Sequence, residues 1–266
     1  MLMLDCAGKQ DIPFLKQIWK ECFGDSDRYI TRYFDTLFDR ITIAVRRSGG
    51  IPVSMVSMLP VSLCTPDGDY PGHYIYAAAT AKAFEGKGYM SELLDYACNF
   101  AAERGDCFSC LIPATPSLFT FYQRREYRTA SYKNMKFISL SSRLLLADSE
   151  SAGLLTDLEE DAFFARRRSF LKKQDASVVF GEQYFPYLYL EMQNAGVFVT
   201  GVGETDYAVC YPDRGLLTVK ETSLSEQALT ECLPALLKRF HCAEAVAIFP
   251  TTEDSFSHNI KPHGMI

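Results

Sequence analysis

In two stretches near the amino terminus, apolar residues return every three or four positions. Ile12, Leu15, Ile18 and Trp19 share one side of a segment that Asp11 is positioned to cap, and Tyr29, Ile30, Tyr33, Phe34, Leu37 and Phe38 form a second stripe after Asp25. Both stripes predict helices with one face against a partner surface. A short apolar run before them, MLMLDCA, predicts a strand. From residue 41 the pattern changes to β-rich runs, ITIAVRR, GIPVSMVSMLPVSLCT and HYIYAAATA, separated by the turn formers Ser48-Gly49-Gly50 and Pro66-Asp67-Gly68-Asp69. These runs predict an antiparallel meander. Helical periodicity resumes at Met90, Leu93, Leu94, Ala97 and Ala101, stops at Gly105, and gives way to the strand-like CFSCLIP.

The second half repeats this scheme faintly. EQYFPYLYLEMQNAGVFVT echoes DRYITRYFDTLFDRITIAV as an aromatic helix running into a strand. GLLTVKETSLSEQALTECLPALLKRFHCAEAVAIFP echoes the strand, loop, helix and strand of residues 74–113, with KETSLS in place of a glycine loop. SSRLLLADSESAGLL, at 141–155, has the polar and small residues of a junction. The pattern predicts an α/β (α+β) chain of two domains, 1–145 and 146–266.

Composition narrows the function classes. With 48% hydrophobic and 13% aromatic residues in 266, the chain has material for a sizeable core or two smaller ones. Apolar stretches such as Ile51 to Leu63 are interrupted well short of a bilayer span, and the first residues lack the blocks of a signal peptide, so a soluble, cytoplasmic protein without membrane contact is expected. Nine cysteines without framework spacing then predict reduced thiols. Cys107 and Cys110 have CxxC spacing but no second pair nearby, and His73, His241, His258 and His263 are dispersed, so no metal site is predicted. A net charge of -6 argues against a nucleic-acid partner and mildly favours a cationic substrate. The run Arg166-Arg167-Arg168 with Lys172-Lys173, interleaved with Phe163, Phe164, Phe170 and Leu171, reads as the solvated face of an amphipathic helix.

One loop carries candidate chemistry. In AKAFEGKGYMSELL, Gly86 and Gly88 lie between a strand and a helix, where backbone N–H groups are unpaired and the helix dipole is positive. Glycines there permit positive φ and close approach of a phosphate, with Lys87 and the Ser91 hydroxyl available for further contacts. The alternative is a tight turn with no ligand.

Over roughly residues 1 to 140, the order of elements and three motifs resemble the GCN5-related N-acetyltransferase (GNAT) family. The first is EGKGYM, in the frame of the family's pyrophosphate loop R/Q-x-x-G-x-G/A; Glu85 stands where Arg or Gln is usual and Met90 where Gly or Ala is usual. The second is TPSLFTFYQRREYRTA, which resembles the helix ending F-Y-x-x-x-G-F/Y, with Phe121, Tyr122 and Tyr127 in register and Glu126 in place of glycine. The third is the strand before the loop, with Ala78, Ala79 and Thr80 along the expected pantetheine arm. The resemblance implies acetyl-CoA as cosubstrate, held by Ala78, Ala79, Thr80, Gly86, Lys87, Gly88, Tyr89, Met90, Ser91 and Ala114. It implies direct transfer to a small-molecule or peptide amine, with Tyr122 protonating the departing thiolate; a phenol neutral at pH 7 suits that role.

The faint repeat then reads as a tandem of GNAT-like folds, each a mixed, mostly antiparallel sheet with flanking helices, and only the first binding cofactor. The arrangement resembles the enhanced-intracellular-survival branch without its sterol-carrier-like third domain. That branch implies a base at the chain's end, here the carboxylate of Ile266 after the tail SHNIKPHGMI with its apolar Met265-Ile266 end, with Glu21, Asp25 and Asp27 as other candidates. Two alternatives stand beside this reading: a tRNA-dependent aminoacyl transferase, and a non-catalytic acyl-CoA binder.

Overall fold

The computed structural model describes residues 2–138, 155–251 and 260–266. The expected junction lies almost wholly outside them, as does His258. The chain divides into two compact units that are not contiguous in sequence. Met1–Arg128, Ala176–Tyr184 and Gly264–Ile266 form the first, and Thr129–Asp175 and Phe185–His263 the second.

In the first unit, β1 (Leu2–Cys6) pairs antiparallel with β2 (Thr42–Ser48), and the meander continues through β3 (Ile51–Thr65) and β4 (Gly68–Thr80). β4 then pairs in parallel with β5 (Phe108–Cys110). β3 is much longer than β2. Beyond the start of β2, opposite Met58, the strand β8 (Ser177–Phe180) takes over the same edge of β3 and pairs with Val61–Cys64. Helices α1 (Ile12–Phe23) and α2 (Asp27–Leu37) bury Leu15, Ile18, Trp19, Ile30, Tyr33, Phe34 and Leu37, the stripes read from the sequence. α3 (Tyr89–Glu103) and α4 (Pro116–Gln123) share a separate core in which Leu93, Leu94, Ala97, Tyr122 and Tyr127 meet Ile75, Leu111 and Met265.

Asp11 does not cap α1 with its side chain. Only 3% exposed, its carboxylate accepts the Gly8 N–H and both Nη atoms of Arg47, at 2.7 and 2.8 Å. Arg47 holds the Asp11 carboxyl below its ordinary range. Ser26 does cap α2, accepting the Tyr29 N–H.

The second unit contains β6 (Thr129–Ile138), β7 (Leu155–Asp157), β9 (Phe198–Val202), β10 (Asp206–Asp213), β11 (Leu216–Thr222), β12 (Glu244–Thr251) and β13 (Ile260–Met265). Among the described residues they form a sheet in the order β13-β6-β12-β11-β10-β9-β7. Among the described residues its α-helices are α5 (Glu160–Leu171), α6 (Phe185–Asn194) and α7 (Glu226–Phe240). The echo read from the sequence is present as α6 running into β9 and as the parallel unit β11-α7-β12. The arginine run on α5 is not a solvated face. Arg166 donates to the carbonyls of Gly203 and Asp206, and Arg167 forms an ion pair with Glu221 at 2.7 Å. Hydrogen-bonding groups of the β9–β10 turn and β11 draw these two guanidiniums inward.

Candidate active site

The parallel ladder of β4 and β5 is short. Gly72, His73 and Tyr74 pair with Phe108, Ser109 and Cys110, and beyond Tyr74 the two strands share no further ladder. On its other side β4 carries an irregularity at the same level, because Tyr76 pairs with Ser57 and Ala79 with Met55. Ala77 absorbs the extra residue at φ 48°, a left-handed conformation uncommon without glycine. The carboxyl ends of β4 and β5 therefore separate, and Ala78 and Thr80, both half-buried, line the upper end of β4 beside fully buried Ala79.

β4 leads through a 3-10 turn, Lys82–Phe84, into the glycine loop. Gly86 and Gly88 take φ of 72° and 79°, and an added Cβ at either would meet open space. Their conformation rather than crowding requires glycine. Gly88 is the N-cap of α3 and no side chain caps that helix, so its first N–H groups face the loop. Tyr89 stacks on Phe84, Met90 is half-buried, and exposed Lys87 folds back to donate to the Ala83 carbonyl at 3.1 Å. Glu85 is exposed. An uncapped helix start, two left-handed glycines with free space above them and small side chains on the adjacent strand fit a diphosphate with an extended arm.

Tyr122 is 6% exposed, with ring contacts to Phe121 and Tyr127. Burial raises its hydroxyl above the ordinary value, and the Arg125 charge opposes that shift. Tyr74 comes from the sheet where the strands part. Burial pushes its hydroxyl up to about 12, with smaller contributions from Cys110 and Tyr122, while a hydrogen bond with the Ile112 backbone opposes the rise. Ile112 lies two residues past the end of β5, and Tyr122 is close enough to act on the Tyr74 hydroxyl, so both tyrosines stand near the point where the strands part. Pro113 and Ala114 lie just beyond, before α4 begins.

The face of β4 that carries Tyr74 and Tyr76 is aromatic. Tyr76 has its hydroxyl 2.8 Å from that of Tyr29 and packs with Trp19 and Tyr33; Tyr74 meets Phe180 of β8. Asp25 accepts the Trp19 Nε1–H at 2.8 Å, and its charge contributes to raising the Tyr76 hydroxyl, although burial contributes most. The Glu21 carboxylate accepts the Lys82 N–H, and Asp27 is exposed beside Lys20.

Ile266 sits elsewhere. Its N–H donates to the Arg128 carbonyl and its carbonyl accepts the Arg128 N–H, while Met265 pairs with Leu111. It lines a groove of about 790 Å³ with Asp95, Cys98, Asp106, Phe108 and Tyr127, at the amino end of β5, whereas the strands part at the carboxyl end. Buried Cys110 has its thiol pushed up to about 12 and Cys107 is exposed; both are free. Among the described residues no cluster of three or more His, Cys, Asp or Glu side chains is arranged to hold a metal, and no helix is long and apolar enough to cross a membrane. Three features had no signal in the sequence reading: the Ala77 bulge, the tyrosine pair Tyr29–Tyr76, and Arg125.

A family model described as an acetyltransferase (GNAT) domain matches residues 5–130. No curated protein matches the chain by sequence. Solved structures that share the fold include a GCN5-related N-acetyltransferase from Kribbella flavida, 15% identical with a TM-score of 0.73, covering 100% of this chain and 71% of its own. A probable N-acyltransferase from Enterococcus faecalis V583 is 14% identical with a TM-score of 0.81, covering 100% and 72%. Eis1 from Mycobacterium abscessus is 12% identical with a TM-score of 0.70, covering 99% and 72%. At such identities these likenesses speak for the fold, across both units. Residues 5–130, which contain the parted strands and the glycine at the start of α3, thus match an acetyltransferase (GNAT) domain.

Proposed function

We propose that the protein is an acetyl-CoA-dependent N-acetyltransferase acting on a small-molecule or peptide amine by direct transfer. The observation that carries this reading is the coincidence of three features: the parting of β4 and β5 after Tyr74, the uncapped start of α3, and Tyr122 at the gap. When bound, the thioester supplies the acetyl group. The N–H groups from Gly86 to Ser91 hold the diphosphate, and the β4 backbone at Ala78–Thr80 and the segment at Ala114 flank the arm. The amine nitrogen attacks the thioester carbonyl, the C–S bond breaks, and the Tyr122 hydroxyl gives its proton to the leaving sulfur. A phenol kept neutral by burial is suited to donate there. We assign the proton lost by the amine to Asp25, which lies beside Tyr76 on the aromatic face. The inward-turned Arg166 and Arg167 give no support to a tRNA-dependent transfer.

The test begins with the thermal midpoint with and without acetyl-CoA. At about a hundred times its dissociation constant a ligand stabilises by about 2.7 kcal/mol, a rise of about 2–4 °C for a chain of this size. Thiol release is then measured over a panel of amines for the wild type and Tyr122→Phe. We expect the variant to keep the midpoint shift and to lose about 10²–10⁴-fold in turnover. A midpoint shift without turnover for any amine would favour a non-catalytic acyl-CoA binder, and no shift would overturn both readings.

A further inference from the structure

The glycine loop is short of positive charge. Glu85 is exposed on it, and its lysine, Lys87, is engaged with the Ala83 carbonyl and lies 4.8 Å from the Phe84 ring centre. A diphosphate held only by the N–H groups of α3 would have a carboxylate nearby and no free loop cation. Two arginines from other elements reach the first turn of that helix. Arg46 of β2 lies 3.8 Å over the Tyr89 ring and is paired with Glu92, so its charge is largely answered within the protein.

Arg125, just past the end of α4, is not answered in that way. One Nη donates to the Ser91 hydroxyl and the other to the Phe121 carbonyl at 2.6 Å, and the guanidinium lies 3.6 Å from the Phe121 ring centre. Its hydrogen-bond and ring partners are thus a neutral hydroxyl, a carbonyl and a ring, with the Asp95 charge, one turn further along α3, also acting on it, and its Nε is buried with no hydrogen-bond partner. Stacking and the carbonyl fix the plane of the fork, leaving a pre-aimed cation at the third residue of an uncapped helix.

Resting on the acetyl-CoA reading above, we infer that Arg125 is a cofactor-binding residue: it supplies, from α4, the positive charge that the diphosphate loop itself lacks. Ser91 is the point of contact, because its hydroxyl is shared between the guanidinium and the site where the phosphate oxygens arrive. The same side chain ties the start of α3 to the helix that bears Tyr122, three residues before it.

The test is the dissociation constant of acetyl-CoA, by calorimetry, for the wild type, Arg125→Gln and Arg125→Lys, with thermal midpoints of the free proteins as a check on folding. Loss of a charge-assisted contact is expected to weaken binding by about tenfold or more in Arg125→Gln. Arg125→Lys should stay within about threefold of the wild type, and the gap between wild type and Gln should narrow as salt rises from about 50 mM to about 500 mM, where screening is strong. Should the Gln variant lose its cooperative transition, Arg125→Met, which keeps the stem on Phe121 without the charge, takes its place. Binding within about twofold of the wild type in a folded, uncharged variant overturns the inference, as does a Lys variant as weak as Gln. Absence of acetyl-CoA binding by the wild type would instead overturn the proposed function. A rescue adds a second reading: Glu85→Arg in the Arg125→Gln background should recover most of the lost affinity, and no recovery would count against a shortage of charge on the loop.

Discussion

The two parallel βαβ units differ most at the first turn of their helices. In the first, β4 passes through Gly86 and Gly88 into α3, and no side chain occupies the opening N–H groups. In the second, β11 passes into α7 through Ser225, whose hydroxyl accepts the Ala228 N–H at 3.2 Å. The strands do not make the difference. The parallel ladders themselves are alike in length: β4 and β5 pair over three positions and β11 and β12 over four, ending at Val219 and Ala247 although both strands continue. One scheme of strand, loop, helix and strand thus yields one helix start open to an anion and one closed by its own serine. The two helix starts differ in a few backbone angles and one hydroxyl, not in which elements are present.

The largest effect that would test this contrast comes from Gly86→Asp with Gly88→Asp. Placing two carboxylates at the open helix start should abolish the acetyl-CoA midpoint shift; a shift that persists in a folded variant would break the comparison. Next, Arg167→Ala in the second unit removes the partner of Glu221, which also accepts from the Tyr207 hydroxyl at 2.6 Å. A loss of about 1–3 kcal/mol in denaturant unfolding is expected, without change in acetyl-CoA affinity. Ser225→Ala uncaps α7 and should cost about 1 kcal/mol, again with acetyl-CoA affinity unaltered. New binding in that variant would show that the serine alone keeps the second helix start closed.

The smallest effect concerns pH. His73 begins inside the short β4–β5 ladder, 3% exposed, with Nδ1 hydrogen-bonded to Asp106 at 2.8 Å. The matching ladder of the second unit pairs Leu217 with Ala245, which do not titrate. Burial lowers the His73 value, with Asp106 opposing, so the folded chain binds fewer protons than the unfolded one. That stability is complete above about pH 6.5 and is lost as pH falls through the folded value. The midpoint should decline on acidification below about pH 6.5, and His73→Gln should flatten part of the slope. His263, also lowered by burial, and at lower pH Asp11, lowered by Arg47, contribute to the remainder. An unchanged slope would remove His73 as a source of acid sensitivity.

Much of this was legible because the signals are local. The α3 stripe and its two glycines follow directly from spacing, and so do α1, α2 and the α6–β9 and β11-α7-β12 echo. What was missed depends on residues far apart in the chain. Asp11 has the position and chemistry of a helix cap, but Arg47, 36 residues later, takes its carboxylate. The α5 arginines look solvated until Glu221 and the β9–β10 turn are in place. At the site, an alanine gives no sign that it will adopt φ 48°, so the bulge that opens the gap is invisible in HYIYAAATA. Arg125 is one arginine in QRREYR, singled out only when Ser91 and Phe121 meet it.

The unit that bears the site is also the one whose parts are most dispersed along the chain. As the protein is synthesised from its amino end, Val61–Cys64 of β3 stays an open strand edge until β8 emerges more than a hundred residues later. Met265, which fills the core beside Tyr122 and pairs with Leu111, arrives later still. An open apolar edge is a template for wrong pairing. A fragment cut at residue 145 would keep every residue assigned to the diphosphate loop and yet lack the strand that protects β3, so its solubility would be a poor guide to whether the intact site works.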